Sequence, residues 1–161
     1  MRSGNESITI LPERPDSAEA VSLIDELEAF LVPLYPSESR HGFSVEKLVS
    51  EKVAFFILRY NGASAGCGGV KLFGMEYGEI KRIYVRPQYR GLGLSKLIME
   101  ALADYARENG IPILRLETGI HKPEAIGLYE SLGYRRIGAF GEYKEDPLSV
   151  YFEKRIAERR V

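Results

Sequence analysis

Cysteine is almost absent from this chain, and long apolar runs and an excess of charge of either sign are missing. The one cysteine, Cys67, excludes an internal disulfide and is typical of a reducing compartment. No apolar stretch approaches the roughly 20 residues of a membrane span. A net charge of −1 argues against a general nucleic-acid-binding protein, which is usually strongly basic. We therefore expect no nucleic-acid partner and no membrane insertion.

Length and composition indicate one globular domain spanning residues 1–161. A chain of this length can bury about two-thirds of its unfolded surface. An apolar content of 45% and a charged content of 28% are ordinary for a globular protein. The first residues lack the charged-then-apolar form of a signal peptide, so we expect a cytoplasmic protein.

Local patterns predict seven strands around one parallel crossover. Asn61-Gly62 is a strong hairpin signal between two strand-like runs. A helical pattern after Gly93 ends near Gly110, and the strand after it should lie parallel to the strand before it. One crossover among antiparallel segments argues against a doubly wound nucleotide fold. The predicted strands are 7–11, 53–59, 65–72, 78–85, a run around 113–116, 134–140 and 148–154.

A strand, a glycine loop and a helix follow one another in residues 78–109. Gly91 and Gly93 stand directly before a run whose apolar residues recur at three- and four-residue spacing. Unpaired N–H groups at a helix start carry a partial positive charge, and glycine lets a phosphate approach the main chain. The segment therefore predicts a diphosphate site.

Two common nucleotide-binding motifs do not fit this loop. The kinase-type motif GxxxxGK[ST] is absent. The dinucleotide motif GxGxxG lacks its third glycine, because Lys96 stands at that position. On spacing alone, a tight strand-to-helix turn without a ligand remains the alternative.

The run Arg90-Gly91-Leu92-Gly93-Leu94-Ser95 resembles the (Arg/Gln)-x-x-Gly-x-(Gly/Ala) pyrophosphate loop of the GNAT family of N-acetyltransferases. Ser95 stands where that family usually has glycine or alanine. Residues 125–134 resemble the family's A-x-x-x-Y-E-x-x-G-(F/Y) helix and strand. Shorter runs around His41, Gly66 and Asp146 resemble the YsnE-type bacterial branch. The resemblance covers most of the chain. It implies an α/β (α+β) GNAT fold: a mixed, mostly antiparallel seven-strand sheet with one parallel βαβ crossover and helices on both faces.

The resemblance implies acetyl-CoA as cosubstrate and no metal. Main-chain groups at the end of the 78–85 strand would bind the thioester oxygen and the pantetheine arm. Arg90 and the loop amides would hold the diphosphate. Lys122 stands where many GNAT enzymes have an asparagine that contacts pantetheine. The implied cofactor-binding residues are Ile83, Tyr84, Val85, Arg90, Gly91, Leu92, Gly93, Leu94, Ser95, Lys122, Glu124 and Ala125.

Acetyl transfer to an amine needs a base for the amine and an acid for the leaving thiolate. By resemblance, Tyr129 is the acid, because a phenol with a pKa of about 10 stays protonated at neutral pH; the alternative is a core tyrosine. Glu79 is the leading base, and an exposed carboxylate paired with Lys81 is the alternative. Glu117 and His41 are the second and third candidates for the base.

The acceptor pocket is expected between two polar segments, residues 35–41 and residues 140–146. The acidic residues Glu142, Glu145 and Asp146 of the second segment favour a cationic amine. Arg40 and His41 of the first segment suit a carboxylate. Together they indicate an amino-acid-like acceptor. The predicted substrate-binding residues are Tyr35, Ser39, Arg40, His41, Glu117, Phe140 and Tyr143.

The function predicted on this basis is acetyl-CoA-dependent N-acetylation of a small-molecule amine or amino acid. Three alternatives stay open: an acetyltransferase for protein lysines or N-termini, a non-catalytic acyl-CoA sensor and a nucleotide-binding regulator. A homodimer is also left open.

Overall fold

The computed structural model describes residues 6–157, and its strands form one seven-stranded sheet in the order β1-β2-β3-β4-β5-β7-β6. Every neighbouring pair is antiparallel except β4 and β5, which are parallel and joined through α3. The expected mixed sheet with one parallel crossover is confirmed. The strands are β1 (Ile8–Pro12), β2 (Ala54–Tyr60), β3 (Ala63–Phe73), β4 (Tyr77–Val85), β5 (Ile113–Gly119), β6 (Arg135–Ile137) and β7 (Ser149–Arg155). The helices are α1 (Ala18–Leu31), α2 (Val45–Ser50), α3 (Leu94–Glu108) and α4 (Pro123–Ser131).

Helices cover both faces of the sheet, as the alternation along β2 shows. Successive strand residues point to opposite faces. Phe55 and Ile57 pack with buried residues of α1 and α2, whereas Phe56 and Leu58 pack with α3 and with Tyr129 of α4 in a separate core. The sheet is therefore buried between two helical layers, and residues at its ends can reach pockets on either side.

Strand β6 is shorter than the sequence predicts. The expected strand covers 134–140, but only Arg135–Ile137 pairs with β7. Beyond it, Phe140 packs edge-on against Tyr77 and Tyr151 in an aromatic cluster. These side-chain contacts hold the segment in place of a strand ladder, so the end of the prediction is wrong.

The parallel strands β4 and β5 separate after a short contact. They pair only at Gly78–Leu114 and Glu79–Arg115. Further along β4, the register with β3 shifts, and Arg82 adopts a left-handed backbone with φ of 58°. An irregularity of this kind bends a strand and redirects its side chains. The end of β4 is left beside an opening in the sheet that faces the start of α3.

Candidate active site

The glycine loop gives α3 an uncapped start. Gly91 and Gly93 have φ of 82° and 75°, a region that favours glycine over other residues. Gly93 is the N-cap of α3, and no side chain bonds to the amides of its first turn. Apart from the chain neighbours of each glycine, no atom of residues 6–157 lies within 4 Å of the position that a Cβ would take at Gly91 or Gly93. Free amides and open space suit the approach of an anion such as a diphosphate.

A donor cavity of about 550 Å³ runs from this loop to the opening between β4 and β5. It is bounded by α1, the end of β4, the glycine loop and α4. Leu92 alone among the predicted cofactor-binding residues does not line it; this side chain is half-buried against the core. The predicted residues that do line it are Ile83, Tyr84, Val85, Arg90, Gly91, Gly93, Leu94, Ser95, Lys122, Glu124 and Ala125.

Arg90 is anchored to the strand that precedes the loop. Its Nε donates a hydrogen bond of 3.2 Å to the carbonyl oxygen of Val85. Its guanidinium also lies 6.0 Å from the centre of the Phe30 ring. Arg90 therefore lines the donor cavity and bonds to Val85, whose main chain the family resemblance assigns to the pantetheine arm.

A smaller acceptor cavity of about 90 Å³ lies between the segment after α1 and the facing strands β4 and β5. Phe140 does not line it; its ring packs behind Tyr143, at 5.1 Å between centroids. The other predicted substrate-binding residues are brought together in its wall: Tyr35, Ser39, Arg40, His41, Glu117 and Tyr143. Six of the seven predicted residues thus line one cavity, and their binding of a substrate stays a prediction.

The two cavities meet at a shared wall. Leu27, Ile83, Lys122 and Tyr129 line both. A molecule in the donor cavity and a molecule in the acceptor cavity would therefore come together beside these four side chains. This junction is where a group could pass from one to the other.

Tyr129 has a buried ring and an unused hydroxyl. Its side chain is 5% exposed, and the ring packs 6.1 Å from those of Tyr134 and Phe152. The phenol oxygen makes no hydrogen bond with any residue of the range 6–157. Burial raises the pKa of Tyr129, so the phenol is protonated at neutral pH. Tyr129 is thus a core residue whose protonated side chain also lines both cavities.

Glu79 is buried and lies behind the acceptor cavity. It is 4% exposed, accepts a hydrogen bond from the Tyr143 hydroxyl and forms a 2.9 Å salt bridge with Lys81. It lines neither cavity. The expected pairing with Lys81 exists, but inside the protein rather than on an exposed face. Glu79 contacts the wall of the acceptor cavity through Tyr143 and Lys81 and does not line the cavity itself.

Glu117 lies in the acceptor cavity itself. Its Oε2 accepts a 2.8 Å hydrogen bond from the Ser149 hydroxyl. Burial raises its pKa above the usual range of a glutamate, while the Ser149 hydrogen bond and the positive charge of Lys81 oppose that shift. A carboxylate of raised basicity in the acceptor wall is suited to take a proton from an amine.

His41 is held against Tyr143 by an edge-on ring contact of 5.2 Å. Its Nε2 is 4.0 Å from the Asp146 carboxylate, and Asp146 accepts a 2.7 Å hydrogen bond from Ser39. The His41 carbonyl also accepts a hydrogen bond from Lys81. These contacts fasten the segment after α1 over the sheet and close one side of the acceptor cavity.

Sequence reasoning missed two cations in the acceptor wall, Lys81 and Arg82. Lys81 is enclosed by the Phe43 ring at 4.1 Å and by the Tyr143 hydroxyl at 2.9 Å. Arg82 donates to the Phe43 carbonyl at 2.9 Å. The available signal was the run of charged residues in β4 itself, because a charged side chain in a buried sheet needs a partner or a ligand.

Within residues 6–157, no cluster of three or more histidine, cysteine, aspartate or glutamate side chains is placed to hold a metal ion. In the same range, no helix has the length and apolar character needed to cross a bilayer.

Cys67 is buried beside Arg82, and burial raises the pKa of its thiol to about 12, which leaves it unreactive.

Two cavities that meet beside the separated strands β4 and β5 suit a protein that binds two substrates side by side. A model of the Acetyltransferase (GNAT) family matches residues 21–134. The chain therefore belongs to the GNAT family of acetyltransferases, and it is an N-acetyltransferase by class.

Relatives along nearly the whole chain agree with this assignment. A protein of Azospirillum brasilense named IAA acetyltransferase is 38% identical and covers 92% of this chain and 97% of its own. The uncharacterized N-acetyltransferase YsnE of Bacillus subtilis is 31% identical over 86% of this chain and 93% of its own. A Klebsiella pneumoniae crystal structure, described as a proposed acyl-CoA N-acyltransferase, has a TM-score of 0.79 and 37% identity, covering 92% and 97%. The expected resemblance to the YsnE branch is confirmed.

Proposed function

We propose that this protein transfers the acetyl group of acetyl-CoA to a primary amine of a small molecule or amino acid, by direct attack within a ternary complex. One observation carries the proposal: the donor and acceptor cavities meet at Tyr129 and Lys122. Both substrates can then be held in contact, which supplies much of the rate acceleration of a two-substrate reaction. The small acceptor cavity favours a small molecule over a polypeptide segment.

The donor cavity suits a coenzyme A thioester for reasons visible in the loop. Amides at the start of α3 lack a side-chain cap, and the left-handed glycines leave space for a diphosphate. We assign diphosphate binding to residues 90–95 and pantetheine contacts to the end of β4. Acetyl-CoA supplies an activated acyl group with a thiolate as leaving group.

Glu117 is the base that we assign to the amine, and Tyr129 is the acid that we assign to the thiolate. The amine nitrogen forms a C–N bond as the C–S bond breaks, and the electron pair of that bond leaves on sulfur. Sulfur takes the proton of Tyr129, and the proton lost by the amine goes to Glu117. Exchange with water then restores both side chains. Glu79, which the sequence favours as base, lacks access to the cavity and remains the rival assignment.

The direct test is release of free coenzyme A thiol from acetyl-CoA in the presence of a panel of amines, with the acetylated product identified by mass spectrometry. The panel includes free amino acids, polyamines, peptides with free N-termini and IAA, because the 38% identical relative carries that name. We expect thiol release with small amines. Binding of acetyl-CoA without release across the panel would favour an acyl-CoA sensor, and thermal stabilisation by ATP or NAD rather than CoA would favour a nucleotide-binding regulator.

A further inference from the structure

The ammonium group of Lys122 has no partner although its side chain lines both cavities. It makes no hydrogen bond or salt bridge with any residue between 6 and 157. Lys122 is placed by the N-terminus of α4, where it is the N-cap residue and its side chain does not cap the helix. Burial lowers its pKa, with Arg82 and Arg90 adding to this effect and Glu117 opposing it. A partly buried cation without a counter-ion is unfavourable unless a ligand supplies the charge.

The two arginines of the acceptor wall share a single carboxylate. Arg40 lies 3.1 Å from one oxygen of Glu28, and Arg82 lies 2.9 Å from the other. Glu28 belongs to α1 and is itself 40% exposed. One negative charge thus serves two guanidinium groups, and this part of the wall keeps an excess of positive charge.

The other charged residues of the acceptor wall do not offset this excess of positive charge. Lys81 is neutralised by Glu79 at 2.9 Å. Glu117 is the carboxylate that lines the cavity, and it is held by Ser149 rather than by a cation. Lys122 therefore remains as an additional positive charge beside it. Within the described residues, four cations line the cavity and three carboxylates are set against them.

Two more nitrogen atoms of the wall have unused hydrogen-bonding capacity. Nε of Arg40 and Nε2 of His41 are buried and have no hydrogen-bond partner among the residues that the structure describes. Asp146 lies too far from His41 to bond to it, at 4.0 Å, and already accepts from Ser39. Buried polar groups are normally paired, so a ligand oxygen is the expected partner of some of these groups.

We propose that Lys122 binds a carboxylate on the acceptor, so that the acceptor is a zwitterion with its amine at Glu117 and its acid group at Lys122. The inference rests on the acetyl transfer proposed above and narrows its substrate class. A purely cationic acceptor such as a polyamine would add positive charge to a wall that already has one more cation than carboxylates, and it would leave Lys122 without a counter-ion. An amino acid carries an ammonium group for Glu117 and a carboxylate for Lys122, two residues that both line the cavity.

The test compares matched acceptors on the full-length protein. Each of a series of α-amino acids is assayed beside its α-amide and its decarboxylated amine, with acetyl-CoA at saturation and thiol release as the signal. For the wild-type protein we expect kcat/KM for the acid to exceed that for the amide by about 10-fold or more. In Lys122→Met we expect kcat/KM for the acid to fall about 10- to 100-fold, the loss expected for one charge-assisted hydrogen bond, and kcat/KM for the amide to fall clearly less.

A matched control is Lys96→Met, because Lys96 is a lysine of the donor cavity at the far end from the junction. It removes the same charge, and we expect it to act on the KM for acetyl-CoA while keeping the acid-to-amide preference. The melting temperature of Lys122→Met should equal or exceed that of the wild type, because an unpaired cation is removed from a partly buried position.

Four results would overturn the inference, and they separate it from the proposed function. Equal or better turnover of amides, or turnover confined to amines without an acid group, leaves acetyl transfer standing and removes the role of Lys122. Equal losses for acid and amide in Lys122→Met, with a raised KM for acetyl-CoA, assign the lysine to pantetheine instead. If the protein prefers malonyl-CoA over acetyl-CoA, the carboxylate that Lys122 binds belongs to the acyl donor and not to the acceptor. Absence of thiol release with any amine rejects the proposed function itself.

Discussion

Tyr129 combines a buried ring with a hydroxyl that has no partner within residues 6–157, and the chemistry proposed here depends on that hydroxyl. We expect Tyr129→Phe to lower kcat by about 100-fold or more, the usual contribution of a general acid. The ring stays in the core because phenylalanine has the same shape. Steady-state kinetics measure the loss, and calorimetric titration should give an acetyl-CoA affinity close to that of the wild type. An unchanged kcat would remove Tyr129 from the mechanism.

Glu117 and Glu79 are separated by a pH–rate profile. A base must be ionised, so kcat/KM falls as the pH drops through its pKa, and the raised pKa of Glu117 moves this acidic limb above the usual range of a glutamate. We expect Glu117→Gln to lose most of its activity, and the activity that remains should no longer fall at acidic pH. The remaining activity of Glu79→Gln should still fall at acidic pH as in the wild type. The reverse pattern would assign the base to Glu79.

Stability gives an independent reading of the same two variants. The pKa of Glu117 is higher in the folded than in the unfolded protein, so its protonated form stabilises the folded state at a pH below the unfolded pKa. This contribution to the free energy of unfolding is lost as the pH rises through the pKa of the folded state. Glu117→Gln should therefore melt at an equal or higher temperature than the wild type near pH 7. Glu79→Gln leaves Lys81 buried beside a neutral amide, and loss of a buried partner costs about 3–5 kcal/mol. Its melting temperature should fall clearly, which a denaturation series will show.

At the scale of the element, the glycine loop and α3 act together as the proposed phosphate site. Gly93 requires a left-handed backbone, φ 75°, in open surroundings. We expect Gly93→Ala to cost about 1 kcal/mol of stability through backbone strain and to weaken CoA binding, because the first amides of α3 are displaced.

Gly127→Ala is the matched control for the glycine loop. Gly127 lies inside α4, also with no atom within 4 Å of a Cβ, and has no left-handed φ. Alanine should stabilise the helix by about 0.5–1 kcal/mol and leave CoA affinity unchanged. Calorimetric titration and chemical denaturation of both variants make the comparison. Equal CoA affinity in the wild type and Gly93→Ala would argue against this loop as the site.

The sequence was informative at the element scale because local rules govern strands and helix starts. The Asn61-Gly62 hairpin and the helix after Gly93 are both present where the patterns place them. Strand 134–140 was overextended because long-range aromatic contacts of Phe140, rather than local propensity, decide where β6 stops.

At the scale of the whole molecule, contacts between distant segments were beyond the reach of the sequence. The insertion of β7 between β5 and β6 leaves no local trace, since it depends on pairing across the full sheet. The burial of Glu79 is of the same kind: Tyr143, 64 residues away, covers it. The acceptor wall likewise draws on α1, the segment after it, β4 and β5. Motifs could therefore indicate the chemistry, but only the fold shows which carboxylate reaches the cavity.

The most direct test of the account is a crystal structure of the protein with acetyl-CoA bound. We expect the diphosphate oxygens to accept hydrogen bonds from the amides of residues 91–95, with the thioester sulfur beside the Tyr129 hydroxyl. A complex in which the diphosphate lies away from the glycine loop, or in which the sulfur lies far from Tyr129, would contradict the account.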